Sequence, residues 1–244
     1  MPLKAKPFLR EISISQPTGE QTESYPFNIL ALRGMRSLKF NPDATFFVGE
    51  NGSGKSTLLE AIAIAMGFGA EGGTKNQRFA TANTISDLHQ SLKLKKSFKP
   101  PKDGFFLRAE TFYNVATEVD KAGYLVGYGN RSLHQRSHGE AFMTLLTTKL
   151  KGNGFYLLDE PEAALSPSRQ LAALWAIHRL VELDSQFIIA THSPILLAYP
   201  RAKIVSFDDD GLTEISYEDT EHFSITRDFL NNYERRLENL LNEQ

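Results

Sequence analysis

The sequence predicts an α/β fold, with a mainly parallel sheet at the core, an antiparallel β lobe at the N-terminal end and a small helical insertion. Short apolar segments such as Phe155–Leu158 and Phe187–Ala190 alternate with helical patterns, which is typical of strands buried in a parallel sheet. Over Phe8–Ser15, apolar and polar residues alternate instead, as they do in a half-buried strand. The length of 244 residues suits one domain with an inserted lobe.

The composition excludes several classes of protein. There is no cysteine, so disulfides and thiolate zinc sites are ruled out. The formal charge is −2, from 27 Lys+Arg against 29 Asp+Glu, which gives no overall basic field for binding nucleic acid. Residues 1–10 lack the apolar core of a signal peptide, and no apolar stretch is long enough to span a bilayer. We therefore expect a cytoplasmic protein with no transmembrane segment.

The N-terminal half supplies the predicted β lobe and the first core strand. One or two strands are expected within Asn28–Phe40, and a buried strand over Thr45–Val48. A helix of strong helix formers follows over Lys55–Met66 and stops at a run of glycines. Residues 74–104 then become polar and basic, so we expect an inserted lobe with a helix around Ser86–Lys95.

The C-terminal half alternates predicted helices and buried strands. We expect a strand at Phe105–Ala109 and a helix over Gly139–Lys149. Ser166 and Pro167 form a favourable start for another helix. In the C-terminal segment, the sequence predicts a hairpin around Asp208–Gly211. It also predicts an amphipathic helix, which we expect to pack on the protein's own core. The apolar residues of that helix are Phe229, Leu230, Tyr233, Leu237 and Leu240.

A phosphate-binding loop is the strongest motif. Residues 49–56, Gly-Glu-Asn-Gly-Ser-Gly-Lys-Ser, match G-x-x-x-x-G-K-[ST] at every fixed position, between a predicted strand and a predicted helix. Glycines let backbone N–H groups wrap a polyphosphate, and the next helix points its positive end at it. We expect Lys55 to reach the β- and γ-phosphates and Ser56 to offer its hydroxyl to Mg²⁺. The predicted nucleotide-binding residues are Gly49, Glu50, Asn51, Gly52, Ser53, Gly54, Lys55, Ser56 and Thr57.

Two carboxylates and a histidine follow the buried strands. Asp159 and Glu160 end an apolar segment, where two charges are costly without a cation. We expect Asp159 to hold Mg²⁺ and Glu160 to polarise an attacking water. His192 lies in Thr-His-Ser-Pro and is expected to contact the γ-phosphate or the water. The predicted catalytic residues are therefore Lys55, Glu160 and His192, while the other five histidines lack such support.

The order of these motifs resembles that of the ABC ATPases. Ser-His-Gly-Glu at 137–140 lies 22 residues before Asp159, where that family has its Ser-Gly-Gly-Gln or Ser-Gly-Gly-Glu signature. His192 lies 33 residues after Asp159, again the family's usual spacing. Within the class, the phosphate loop, Glu140 and the segment Asp-Glu-Pro-Glu-Ala are similar to chromosome-maintenance, recombination-mediator and overcoming-lysogenisation ATPases, and to small stand-alone bacterial ATPases.

The resemblance implies a P-loop NTPase fold and hydrolysis of ATP with Mg²⁺ in a head-to-tail homodimer. Ser137, Gly139 and Glu140 of one chain would then meet the ATP held by the other chain. The implied architecture is a single ABC-type domain over 1–244. It divides into an antiparallel β lobe at about 1–44, an inserted helical lobe with the signature at about 70–142, and a nucleotide-binding core with a C-terminal helix at 45–69 and 143–244.

The sequence departs from the family pattern at several positions. His138 stands where the first signature glycine is usual, and Arg136 replaces an apolar residue. No glutamine marks the family's glutamine loop, and Glu110 is our candidate for that position and hence for binding Mg²⁺. Tyr25 and Phe27 are the candidates for stacking on adenine, although either could equally belong to the core.

Several cellular roles stay open for such an ATPase. It could switch an unknown protein partner, serve DNA repair, recombination or phage defence, form the nucleotide-binding subunit of an ABC transporter, or act as a scaffold with negligible turnover. Glu140 in the signature weakens the transporter hypothesis, and Glu160 weakens the scaffold hypothesis. A basic run is the only local support for nucleic acid, and a solvated loop explains it as well. The run consists of Lys93, Lys95, Lys96, Lys99 and Lys102.

Overall fold

The structure, a computed structural model, describes residues 5–15, 24–75, 86–111, 114, 117 and 132–242. Within these residues the strands are β1 (Leu9–Ile14), β2 (Ser37–Lys39), β3 (Ala44–Val48), β4 (Leu92–Lys96), β5 (Asp103–Arg108), β6 (Gly154–Asp159), β7 (Gln186–Ala190), β8 (Ala202–Asp208) and β9 (Gly211–Ile215). The helices are α1 (Leu30–Arg33), α2 (Lys55–Ala65), α3 (Leu88–Ser91), α4 (His138–Thr144), α5 (Pro167–Glu182), α6 (Pro194–Leu197) and α7 (Glu221–Asn242). A π-helical turn, Leu145–Lys149, continues α4, and 3₁₀ turns cover Leu133–Gln135 and Pro161–Ala164.

A six-stranded core sheet has the strand order β5-β6-β7-β3-β8-β9. The first five strands run parallel, and β9 forms an antiparallel hairpin with β8. Strands β3, β6 and β7 are buried along their whole length, as their uninterrupted apolar sequences predict. Since the strands are parallel, the carboxyl ends of these three lie at one edge of the sheet. The predicted parallel core and its hairpin are confirmed.

An antiparallel N-terminal sheet has the order β2-β1-β4. The fully buried Gln186 joins this sheet to the start of β7. Its side-chain oxygen accepts from the Leu9 backbone N–H at 3.0 Å. Its side-chain nitrogen donates to the backbone oxygens of Leu9, at 2.9 Å, and Asn41, at 3.0 Å. Because a buried amide is costly unless its hydrogen bonds are made, these contacts fix the N-terminal sheet against the core sheet.

Two apolar clusters cover the two faces of the core sheet. Successive side chains of a strand point to opposite faces, so neighbouring residues of β3 belong to different clusters. Phe46 packs with Phe142 and Ile177 in one cluster, to which α4, α5 and α6 contribute. Phe47 lies in the other, with Leu59 of α2 and the N-terminal sheet. Helix α2, which follows the phosphate loop, therefore packs between the two sheets.

The segments before and after the phosphate loop differ from the prediction. Within Asn28–Phe40, α1 precedes the single strand β2. The prediction of a helix around Ser86–Lys95 was wrong beyond α3. Lysines alternate there with Leu92 and Leu94, and these two leucines pack against the core from strand β4. Strand β5, also inside the expected insertion, belongs to the core sheet. The division into lobes stays a prediction, and residues 118–131 lie outside the described part.

Contrary to the prediction, the C-terminal helix α7 does not pack on the core. None of its described residues is buried, and the side chains of Leu230 and Leu240 are each 69% exposed. Its attachment lies in the first turn, where the ring of Phe223 meets that of Tyr217 at 4.6 Å between centroids. The backbone breaks from helical geometry at Asn232. Among the described helices, none is both long and apolar enough to cross a bilayer.

Truncating an apolar side chain of α7 should leave the fold as stable as before. Leu237→Ala is expected to change the free energy of unfolding by no more than about 0.5 kcal/mol, because the side chain is exposed. Leu59→Ala, in the buried face of α2, is the matched control and should cost about 2–5 kcal/mol. Thermal denaturation at several protein concentrations measures both. A comparable loss for Leu237→Ala would show that α7 is covered in solution.

Candidate nucleotide site

The phosphate loop, residues 49–56, connects β3 to α2. Gly54 has a φ of +99°, and a Cβ there would lie 2.8 Å from Cγ2 of Ile29, so only glycine fits. Lys55 is buried, and its Nζ donates to the backbone oxygens of Gly49, at 2.7 Å, and Glu50, at 2.8 Å. Burial lowers the pKa of Lys55, which nearby carboxylates oppose. The loop thus curls around an ammonium group beside the N-terminus of a helix, an arrangement suited to binding polyphosphate.

The loop and strand β6 meet through one hydrogen bond. Ser56 Oγ donates to Asp159 Oδ1 at 2.8 Å. Burial raises the pKa of Asp159 to about 6, although the Ser56 bond and Arg108 oppose this effect. Two adjacent oxygens suit Mg²⁺, which takes few protein ligands and completes its shell with water and phosphate. The described residues hold no cluster of three or more His, Asp or Glu side chains, and the assignment of Ser56 and Asp159 as Mg²⁺ ligands stays a prediction.

Glu160 and His192 lie next to each other beside this pair. Glu160 adopts a left-handed backbone conformation with a φ of +49°, and its side chain is 43% exposed. Its Oε1 lies 3.8 Å from Nε2 of His192. That nitrogen is buried and makes no hydrogen bond within the described residues. Burial, and then the charge of Lys55, lower the pKa of His192. A carboxylate and an imidazole therefore lie side by side at the sheet edge that carries the phosphate loop.

The signature segment, residues 137–140, forms the start of α4. Ser137 Oγ accepts from the Glu140 N–H at 3.3 Å, and the Glu140 carboxylate accepts from the Ser137 N–H at 3.0 Å, which is a capping box. Glycine is required at 139, since a Cβ would lie 2.7 Å from the oxygen of Ala164. Arg169 Nη1 also donates to Ser137 Oγ at 3.3 Å. Ser137 and Glu140 are exposed, so this helix start is accessible from outside the chain.

Residues 27–146 match a family model described as an AAA domain. This span includes both the phosphate loop and the signature segment, and the strand order places the loop and the acidic pair at one sheet edge. The chain is a P-loop protein whose order of motifs resembles that of the ABC class. Its fold is that of nucleotide-binding P-loop ATPases.

Three solved structures are similar to this chain. The SMC head domain from Thermotoga maritima is 14% identical, with 85% of this chain and 98% of that chain covered and a TM-score of 0.45. An inward-facing metal-chelate type ABC transporter is 16% identical, with 89% and 88% covered and a TM-score of 0.48. A part of the cbiONQ ABC transporter complex from Clostridium perfringens is 16% identical, with 96% and 99% covered and a TM-score of 0.48. No curated protein matches the chain in sequence.

Glu162 is a site residue that sequence analysis left without a role. It is largely buried and accepts from Thr191 Oγ1 at 2.7 Å and from the His192 backbone N–H at 2.5 Å. Burial raises the pKa of Glu162, and these hydrogen bonds lower it. The turn after β6 therefore holds the turn after β7, and with it the backbone of His192. Its place in Asp-Glu-Pro-Glu-Ala was visible in the sequence, but its partner was not.

Arg108 is a second residue that was missed. At the end of β5 it forms an ion pair with Glu60 of α2, and its Nε lies 3.7 Å from Asp159 Oδ2. Its Nη2 lies 3.7 Å from Glu110, whose side chain is 82% exposed. The predicted metal ligand Glu110 is thus linked to Asp159 through Arg108, and its role in binding Mg²⁺ stays a prediction. Arg108 itself supplies a permanent positive charge beside the buried carboxylate.

The two adenine candidates have different surroundings. Tyr25 is 63% exposed, and its hydroxyl lies 3.2 Å from Thr57 Oγ1 at the start of α2. Phe27 packs against the apolar cluster on the α2 face of the core sheet. An aromatic ring must be accessible to stack on a base. Of the two, Tyr25 has the accessible ring, and its role in binding adenine stays a prediction.

Part of the basic run, Lys93 to Lys96, lies on strand β4 and not in a loop. Lys93 and Lys95 are exposed on β4, at the edge of the N-terminal sheet. Lys95 Nζ forms an ion pair with Glu11 at 2.9 Å. Lysines on an edge strand hinder pairing with other chains, which accounts for both residues without a nucleic-acid partner.

Replacing Asp159 by asparagine should stabilise the nucleotide-free protein. The pKa of Asp159 is about 6, against an ordinary value of 3.8. The stability that the neutral carboxyl group contributes is therefore complete below pH 3.8 and is lost as the pH rises through 6. Each unit of pKa shift corresponds to about 1.4 kcal/mol, and we expect a gain of about 1–3 kcal/mol near pH 8.

Urea denaturation at about pH 8 and about pH 5 tests this expectation, because the gain should shrink at the lower pH. Asp210→Asn changes an exposed carboxylate in the hairpin turn and should alter stability at neither pH. The Asp159→Asn gain would also come with weaker Mg²⁺ binding. An unchanged or lower stability of Asp159→Asn near pH 8 would contradict the stated cost of the buried charge.

Proposed function

We propose that this chain binds Mg·ATP and hydrolyses it between two copies of itself that face each other head to tail. One observation supports this most. The phosphate loop, the acidic pair and His192 follow three strands whose carboxyl ends share one sheet edge, whereas the signature segment is exposed at the start of α4. P-loop ATPases of this fold generally bind ATP with Mg²⁺. A second chain would supply its signature segment to the ATP of the first.

Binding would use the loop backbone and three side chains. The N–H groups of residues 49–56 and the start of α2 would hold the phosphates. Lys55 would exchange its bonds to the loop carbonyls for bonds to phosphate oxygens. Ser56 and Asp159 would hold Mg²⁺, which neutralises charge on the phosphates when bound. Tyr25 would stack on the adenine.

Hydrolysis would depend on Glu160 and His192. Glu160 would orient the attacking water, a task worth about 10²–10⁴-fold in rate for a well-placed base. His192 would donate a hydrogen bond from Nε2 to the γ-phosphate or to the water. Glu162 would hold the backbone of His192 in place. Arg108 would keep Asp159 ionised and oriented beside Ser56. Lys55, Mg²⁺ and the N-terminus of α2 would stabilise the charge that is spread over the transferring phosphoryl group.

A second copy would complete the site and exclude water from it. Glu160 is 43% exposed in the single chain, so its charge is screened by solvent. The start of α4 offers backbone N–H groups and a positive helix end to an anion. Ser137 and Gly139 would place this helix start against the γ-phosphate of the other chain. A two-fold arrangement uses the same surfaces on both chains and therefore makes two such sites.

The variant Glu160→Gln should trap the dimer. Removing the carboxylate is expected to slow phosphate release by about 10²–10⁴-fold while leaving ATP binding intact. With Mg·ATP the variant should elute at twice the monomer mass, measured by gel filtration with light scattering. Lys55→Ala, which removes the phosphate-binding cation, should stay monomeric. A Glu160→Gln protein that binds ATP but remains monomeric would refute the head-to-tail proposal.

A mixing experiment separates catalysis in one chain from catalysis between two. His138→Glu adds a negative charge at the exposed helix start, which favours the helix but repels a phosphate from another chain. Alone, this variant and Lys55→Ala should both be inactive. An equal mixture should recover measurable turnover, because the Lys55→Ala chain can still present its intact signature segment to ATP held by the His138→Glu chain. No recovery, with both variants folded, would place catalysis within one chain.

A further inference from the structure

A second histidine contacts His192. His222, in the first turn of α7, has its Nε2 2.9 Å from Nδ1 of His192. The two ring centroids lie 5.0 Å apart, and both side chains are half-buried. His222 also lines a cavity of about 640 Å³ that the phosphate loop borders from Gly49 to Ser53. A residue of the C-terminal helix therefore reaches the nucleotide site.

Hydrogen bonds on both sides hold the contact between His192 and His222 in place. Thr220 is fully buried just before α7, where its Oγ1 accepts from the Phe223 N–H at 3.3 Å and donates to the Tyr217 oxygen at 2.7 Å. Tyr217 OH in turn donates to the Pro194 oxygen at 2.9 Å. Pro194 follows His192 by two residues, so the turn that carries His192 anchors the turn that carries His222. On its other side, Glu162 holds the backbone of His192.

A hydrogen bond between two neutral imidazoles allows two proton arrangements. In the first, His192 Nδ1 donates, and its Nε2 keeps a bare lone pair that faces the Glu160 carboxylate 3.8 Å away. In the second, His222 Nε2 donates, and the proton of His192 is on Nε2. Only the second avoids placing a lone pair beside a carboxylate. It also leaves a buried N–H without a partner in the described residues, ready to donate to a phosphate oxygen or a water.

We propose that His222 is a positioning residue, whose Nε2–H holds His192 in the tautomer protonated at Nε2 and so presents a hydrogen-bond donor to the nucleotide site. The catalytic consequence rests on the proposed function, whereas the tautomer does not. In metal and catalytic sites the hydrogen bond to one ring nitrogen sets the proton on the other. Here the bond comes from α7, which makes the C-terminal helix part of the site.

Glutamine and glutamate at position 222 form a matched pair of variants. The two side chains have the same size and reach, but the Gln amide can donate to Nδ1 of His192, whereas the Glu carboxylate can only accept. His222→Gln should retain the Nε2-protonated form of His192. His222→Glu should move the proton to Nδ1. Long-range ¹H–¹⁵N spectra of the full-length, histidine-labelled protein without nucleotide, at about pH 8.5, report the tautomer directly.

Kinetics provide the second measurement. We expect kcat of His222→Glu to fall about 10- to 100-fold, and kcat of His222→Gln to stay within about 3-fold of wild type. The extra charge of the Glu variant also acts on the bound nucleotide, so kcat and KM are measured separately and the spectra decide the tautomer. His178, which lies on α5, is the control, since its Nδ1 lies 3.2 Å from the Tyr199 hydroxyl. The same exchanges there should change neither the His192 spectrum nor kcat.

Two results would overturn the inference. One is a wild-type spectrum in which His192 carries its proton on Nδ1. The other is an identical His192 tautomer in the Gln and Glu variants when both melt at the wild-type temperature. If the chain hydrolyses no ATP, the proposed function fails, but the spectra still decide whether His222 sets the tautomer. If it hydrolyses ATP and the spectra disagree, only the role of His222 is lost.

Discussion

The hydrogen bond between Ser56 and Asp159 is the contact on which the rest of the site depends. It joins residues 103 positions apart and exists because β3 and β6, separated by β7, end at the same edge of a parallel sheet. The carboxylate there is buried, which raises its pKa to about 6, so the fold keeps it at a cost. Arg108 and Ser56 lower that cost without removing it. A divalent cation would lower it further, which is why an acidic strand end beside a phosphate loop indicates a metal-nucleotide site.

A chain of hydrogen bonds extends from this edge to the surface. Glu162 connects the acidic turn to the backbone of His192, and His192 contacts His222 at the start of α7. Beyond that turn α7 buries none of its described residues. Within the described residues, the ring contacts that join α7 to the rest of the chain lie in its first turn, beside His192. The exposed apolar face of α7 thus lies one turn away from the proposed chemistry.

Much of the site was predicted from the sequence because its parts are contiguous. A phosphate loop is eight adjacent residues, and the acidic pair ends an apolar strand, so local composition indicates both. The signature segment was predicted from the resemblance to the ABC ATPases, and its capping box explains why Glu140 is compatible with that position. The alternating lysines of β4 were assigned to a helix, because an alternation over only two leucines is too short to distinguish a strand from a helix.

The sequence by itself determined the P-loop class and the parallel core, and it predicted the residues that would contact ATP and Mg²⁺. Only the tertiary structure decided which residues support them. Arg108 reaches Asp159, and His222 reaches His192, across 51 and 30 positions. No local pattern encodes such pairs, since they depend on strand order and on where a helix is anchored. The exposure of α7 was decided in the same way, because an amphipathic pattern predicts an apolar face but not the surface that would cover it.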